Sequence, residues 1–115
     1  MFGSSYSYSR VLLPEQGQVL YYRPRRSVAP GNVVIVPYGK TNAEMVGIVV
    51  DTRQYKKRAV PFPLDQTKFI KRMASFSERF KYRTLSKHYR NMMPKIDELS
   101  WIDELEFFDA IFDDS

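Results

Sequence analysis

The sequence predicts an α+β fold: a small curled antiparallel sheet or partial barrel of four or five strands, followed by two or three helices. Three observations carry this. Short β-branched and aromatic runs, each stopped by Pro or Gly, fill the chain to about residue 66. The links between them are too short for crossover helices, which makes neighbouring strands antiparallel. Beyond that point apolar residues recur at three- and four-residue steps.

Taken in order, residues 8–13, with Tyr/Ser alternation beginning at Tyr6, read as a strand ended by Pro14. Glu15-Gln16-Gly17 reads as a turn. Residues 19–22 form a second strand that Pro24 stops. Pro30-Gly31 marks a turn. Residues 33–36 are all β-branched, as in a strand buried on both faces, and Pro37-Tyr38-Gly39 is read as its end. Residues 45–50 are a fourth strand, in which Gly47 suggests a bulge or a close backbone approach. Residues 55–60 are basic and read as extended, with Pro61 and Pro63 closing them.

Asp65 is read as the cap of a short helix through about Met73. Ser75 and Glu78 have capping-box spacing. The helix they open places Phe76, Phe80, Leu85, Tyr89 and Met92 on one face, and Pro94 ends it. Asp97 opens a last helix whose apolar residues are Trp101, Ile102, Leu105, Phe108, Ile111 and Phe112. The expected organisation is a β-rich core over residues 1–66 and a helical extension over 67–115, in one domain.

Charge is unevenly spread. All 18 Lys and Arg fall in residues 1–96 against five acids, a net +13 there, while residues 97–115 hold eight acids and no base. That asymmetry suggests a polyanion-binding body with an acidic tail. There is no cysteine, which excludes disulfides and thiolate metal sites. No apolar run approaches membrane-spanning length, and residues 1–10 lack the pattern of a secretory signal, so the expected compartment is the cytoplasm.

Catalytic signatures are missing as well. No phosphate-cradling glycine loop and no G-x-S-x-G occur. His88 is the only histidine and reads as a surface residue of a basic helix. The expectation is a protein that is not an enzyme, without catalytic residues, metal or cofactor.

What remains is a set of bases interleaved with aromatics and turns. They are Tyr21-Tyr22-Arg23-Pro24-Arg25-Arg26, Tyr38-Gly39-Lys40, residues 53–58 with Tyr55, Lys56, Lys57 and Arg58, and the basic helix over residues 76–92. Single-strand binding needs cations to follow phosphates and flat rings on which bases stack. Gly39 lets a backbone amide approach a ligand without a Cβ in the way.

Four pieces in this order also carry a resemblance: Leu12-Leu13-Pro14, Val19 to Pro24, Pro30 to Gly39, and Val46-Gly47-Ile48-Val49-Val50. Residues 10–66 resemble the N-terminal 3′-DNA-binding domain of the primosomal protein N′ (PriA) replication-restart helicases. The most specific piece is P-G-x-x-V-x-V-P-Y/F-G followed by V/I-G-I-V-V, and Arg58-Ala59-Val60 to Leu64-Asp65 is similar to the family's K-A-V…L-D stretch. The resemblance implies a β-rich DNA-binding fold with a pocket at Val19 (a family phenylalanine), Gly39 (the loop glycine) and Arg58 (a family lysine). Leu20 stands where the family has an aspartate. Leucine cannot accept hydrogen bonds from a base or sugar, so the resemblance implies DNA affinity rather than specific capture of a 3′ end. The helicase lobes and zinc-binding cysteines of that family are not in this sequence.

The expected contact residues are therefore Val19, Tyr21, Tyr22, Arg23, Arg25, Arg26, Tyr38, Gly39, Lys40, Lys56, Lys57 and Arg58. The expected function is a DNA-binding accessory module for single-stranded or fork DNA, tied to replication restart. The alternative is a protein-interaction adaptor that docks a replication protein or a second copy through residues 97–115. RNA shares the same electrostatics.

Overall fold

The computed structural model describes residues 5–91. Five strands form one antiparallel sheet: β1 (Ser5–Leu13), β2 (Gln18–Tyr22), β3 (Val33–Tyr38), β4 (Ala43–Lys56) and β5 (Arg72–Met73), in the order β2-β1-β4-β3-β5. Two helices follow, α1 (Phe76–Lys81) and α2 (Arg83–Asn91). The α+β architecture read from the sequence is the one observed.

The run in β3 is unbroken because the sheet has apolar layers on both sides. Val33 and Ile35 pack with Leu12, Ile48 and Val50 beneath Tyr82, Leu85 and Tyr89. Val34 and Val36 pack on the other face with Val11, Leu13, Val49, Tyr22 and Ile70. Strands covered on both faces carry no polar alternation.

The second layer exists because the sheet curls. A single parallel bridge joins Arg23, just past β2, to Phe69, just before β5. The Arg23 amide donates to the Lys68 carbonyl and the Ile70 amide to the Arg23 carbonyl, each at 2.9 Å. The two edges meet at one bridge and the sheet does not close as a continuous ladder, which protects its edges in part.

Gly47 and the bulge are separate features. Arg10 lies opposite Asp51 and Val11 opposite Val49, so Val50 is the extra residue of a β-bulge. Gly47 provides the close approach instead, since a Cβ there would stand 2.3 Å from Val11 Cγ1.

Several boundaries differ from the sequence reading. Pro37 does not end β3; it pairs with Glu44 at a point where β5, which reaches only Val34 and Ile35, no longer flanks the strand. The extended reading of residues 55–60 gives way to a longer β4 and a 3-10 turn at Lys57–Ala59. Asp65 opens no helix: Leu64–Gln66 is a single 3-10 turn, and the backbone of residues 68–74 is used by Arg23, Ile35 and Val33 as sheet partners.

The capping box at Ser75 and Glu78 is present with both of its hydrogen bonds. The helix it opens breaks at Tyr82, whose φ of −112° and ψ of 22° seat the ring under the sheet, with its hydroxyl donating to Glu15 Oε2 at 3.0 Å. The break separates the expected stripe. Leu85 and Tyr89 are buried, whereas Phe76 and Phe80 face outward. His88 is half-buried rather than on the surface, edge-on to Tyr89, and burial holds its pKa below the ordinary value. Met92, Pro94 and the helix expected from Asp97 lie outside the described residues, as do residues 1–4.

Candidate nucleic-acid-binding cleft

β2 is an edge strand, so one flank of it lies open beside the segment that follows β4. Between them is a cleft of about 400 Å³ lined by Val19, Leu20, Tyr21, Tyr22, Tyr38, Gly39, Phe62, Gln66 and Lys68.

Tyr8 sets the wall. Its ring is fully buried, meets Tyr21 edge-on at 6.1 Å and Tyr55 at 5.7 Å, and its hydroxyl donates to the Phe62 carbonyl at 2.7 Å. One buried side chain thereby fixes both an aromatic of β2 and the Phe62 loop. Phe62 itself is 44% exposed, flanked by Pro61 and Pro63. Tyr22 backs the cleft from inside the sheet. Its hydroxyl donates to the Pro37 carbonyl at 2.8 Å, and burial, with the neighbouring Tyr38, pushes its pKa up to about 12. Tyr38 is half-buried, and its hydroxyl donates to Gln18 Oε1 at 3.0 Å.

The mouth is polar. Gly39 has φ +74°, and the space where a Cβ would stand is open. Lys68 Nζ donates to the Gly39 carbonyl at 2.7 Å, which brings an ammonium to the rim. Gln66 is exposed in the lining and offers an amide donor and acceptor. Leu20 lines the cleft and also packs on the inner apolar cluster, so the polar contacts here come from Gln66 and Lys68. Lys68 also lines a neighbouring hollow with Arg25, Phe69 and Lys71; Lys71 is paired with Glu44 at 2.7 Å, so Arg25 is the cation that extends the surface away from the cleft.

Of the contact residues expected from the sequence, Val19, Tyr21, Tyr22, Tyr38 and Gly39 line this one cleft. Arg23 is adjacent but spent on packing, its guanidinium 5.6 Å from the Tyr6 ring and 4.8 Å from Phe69. Arg25 lies 4.4 Å over Phe69 and, with Arg26, lines a different hollow near Ile70. Lys40 is exposed in the turn beside Gly39, and Lys56, Lys57 and Arg58 are exposed at the end of β4; none of these four lines the cleft. Sequence reading missed Phe62, Gln66 and Lys68. The P-F-P triplet and the Lys68-Phe69 pair carry the signal, but the helix expected over residues 65–73 hides Gln66 and Lys68.

The arrangement has flat rings, a backbone-presenting glycine, one amide and a cationic rim. The described residues contain no cluster of metal-ligating side chains. No helix among them is long and apolar enough to cross a membrane. A scan against protein-family models and a search of curated proteins each find no match to this chain.

Proposed function

We propose that this chain is a non-catalytic module that binds single-stranded DNA in the cleft between β2 and the Phe62–Lys68 segment, as an accessory to replication restart. The observation that carries the reading is the convergence of Tyr21, Tyr38, Gly39, Phe62 and Lys68 on one cleft of about 400 Å³. That volume suits a nucleobase with its sugar. Tyr21 and Phe62 offer faces for stacking, worth about 1–3 kcal/mol per base. Lys68 and Arg25 follow the phosphates, and Gln66 reaches a base edge. The resemblance of residues 10–66 to the PriA 3′-DNA-binding domain supports DNA over RNA.

The test is a titration of a labelled single-stranded oligonucleotide with the full chain at low and moderate salt, with free and blocked 3′ ends. Salt-sensitive binding that weakens in Tyr21→Ala and Phe62→Ala is expected. Loss of affinity on blocking the end would add end recognition through Gln66. No binding at low salt overturns the reading. It would favour the protein-interaction adaptor acting through residues 97–115.

A further inference from the structure

A second concave surface, sharing no lining residue with the cleft, lies beside the two helices. It is a groove of about 700 Å³ between Met73 and the outer faces of α1 and α2. Phe76 and Phe80 line it at 73% and 55% exposure, with ring centroids 6.3 Å apart. Large apolar side chains displayed together mark an interaction surface rather than ordinary surface noise. Arg79, Arg83, Lys87 and Arg90 form the rim, and among the described residues no acid lines the groove. The guanidinium of Arg83 lies 4.2 Å over the Phe80 ring and that of Arg79 5.9 Å from Phe76. The nearest acid on these helices, Glu78, is already engaged by Arg72 and by the Ser75 amide.

The rest of the chain supplies the complement. Residues 97–115 hold eight acids and no base, with Trp101, Ile102, Leu105, Phe108, Ile111 and Phe112 spaced at three- and four-residue steps. An apolar floor with a basic rim matches an apolar stripe with acidic flanks. Connection favours the match further. α2 ends at Asn91, and Arg90 of its last turn lines the groove. The five residues 92–96 reach roughly 17 Å when extended, enough to turn the chain back over the same helices. So short a tether gives an effective concentration in the millimolar range, which external partners rarely reach.

We propose that residues 97–115 dock intramolecularly in the Phe76/Phe80 groove. The apolar stripe covers the two rings, and the acids pair with Arg79, Arg83, Lys87 and Arg90. The segment then withholds this basic face from polyanions, and the cleft beside β2 remains open.

Trp101 is the only tryptophan in the chain, so its emission reports on this segment alone. The experiment measures the emission maximum and acrylamide quenching of the full chain over a wide dilution series. It compares the wild type with Phe76→Ser/Phe80→Ser and with Arg79→Glu/Arg83→Glu. All four side chains are exposed, and circular dichroism checks that each variant keeps its fold; the charge variant serves if the serine variant does not. Expected are a blue-shifted, quencher-protected Trp101 that does not change on dilution, and a red shift with several-fold stronger quenching in both variants. An exposed Trp101 in the wild type overturns the proposal, as does emission unchanged in both variants. Protection lost on dilution overturns it in favour of a second copy. A drop in oligonucleotide affinity in the variants with Trp101 unmoved overturns it in favour of nucleic acid in the groove. The Trp101 readout itself needs no DNA, so its failure is distinct from failure of the cleft.

Discussion

Lys68 Nζ donates to the carbonyl of Gly39 at 2.7 Å and thereby ties the segment before β5 to the turn between β3 and β4. The bond is exposed, so it contributes under about 1 kcal/mol to the fold. Its larger effect is to hold a cation at the cleft mouth. Lys68→Ala is expected to leave the thermal midpoint nearly unchanged. Oligonucleotide affinity should drop, and the slope of log K against log salt should fall by about 1. An equal loss of stability and affinity would assign Lys68 a structural role alone.

Two glycines separate binding from folding. At Gly47 a Cβ would meet Val11 Cγ1 at 2.3 Å and Leu13 Cδ2 at 3.2 Å. Val11 has little rotamer freedom to yield. Gly47→Ala is therefore expected to cost roughly 1–3 kcal/mol, as overpacked cores do, with unchanged affinity in the folded fraction. At Gly39 there is room, and the cost of Gly39→Ala is the left-handed backbone, about 1–2 kcal/mol. Its methyl would project at the cleft mouth, so affinity should fall too. Urea unfolding and the same titration, run on both variants, give the comparison.

Tyr22 predicts behaviour at alkaline pH. Burial, then the charge of a nearby Tyr38, raises its pKa from 10.0 to about 12. The folded state thus favours the neutral phenol. That stabilisation is complete below about pH 10 and is lost as pH rises towards about 12. Spectrophotometric titration should show one tyrosine ionising last, together with loss of structure. Tyr22→Phe removes the late phase and the hydroxyl bond to Pro37, and it should flatten the alkaline limb of stability. An unaltered alkaline limb would show that other groups control it.

The β half was legible because its punctuation is local. Pro14, Gly17, Pro24 and Pro30-Gly31 act through their own backbone, and each falls at or beside a turn or strand end. Residues 33–36 announced a two-sided core by lacking alternation. The misreadings have one kind of cause, which is distant partnership. Residues 68–74 look helical from Asp65 onward, yet they are extended because Arg23, Ile35 and Val33 take their backbone bonds. Phe76 and Phe80 looked like core because nothing local shows that the chain breaks at Tyr82 to seat its ring against Leu12 and Ile48. In the cleft, the β2 aromatics and Gly39 were legible from strand and turn chemistry. Phe62, Gln66 and Lys68 were not, since only the curl of the sheet carries them to β2.

A buried ion pair sits at the β1–β4 bulge. Arg10 and Asp51 face each other there at 5% and 7% exposure, with Arg10 Nε donating to Asp51 Oδ1 at 2.7 Å and Arg53 Nε 3.3 Å from Asp51 Oδ2. Arg10 is also opposite Tyr21 in β2, so this pair sits behind the wall of the cleft. Removing the carboxylate leaves a guanidinium out of water without its main counter-charge. Asp51→Ala is expected to destabilise by about 3–5 kcal/mol, the usual cost of breaking a buried pair from one side. Replacing both partners with apolar residues of similar size, Arg10→Met with Asp51→Leu, should recover most of that loss, because two desolvation penalties vanish together. Urea denaturation of the single and double variants tests the energetics. The oligonucleotide titration tests what the pair does for function. Recovered stability with weakened binding would mean that the charges hold the β1–β2 register on which Tyr21 depends. Recovered stability with full binding would mean that packing alone positions the wall.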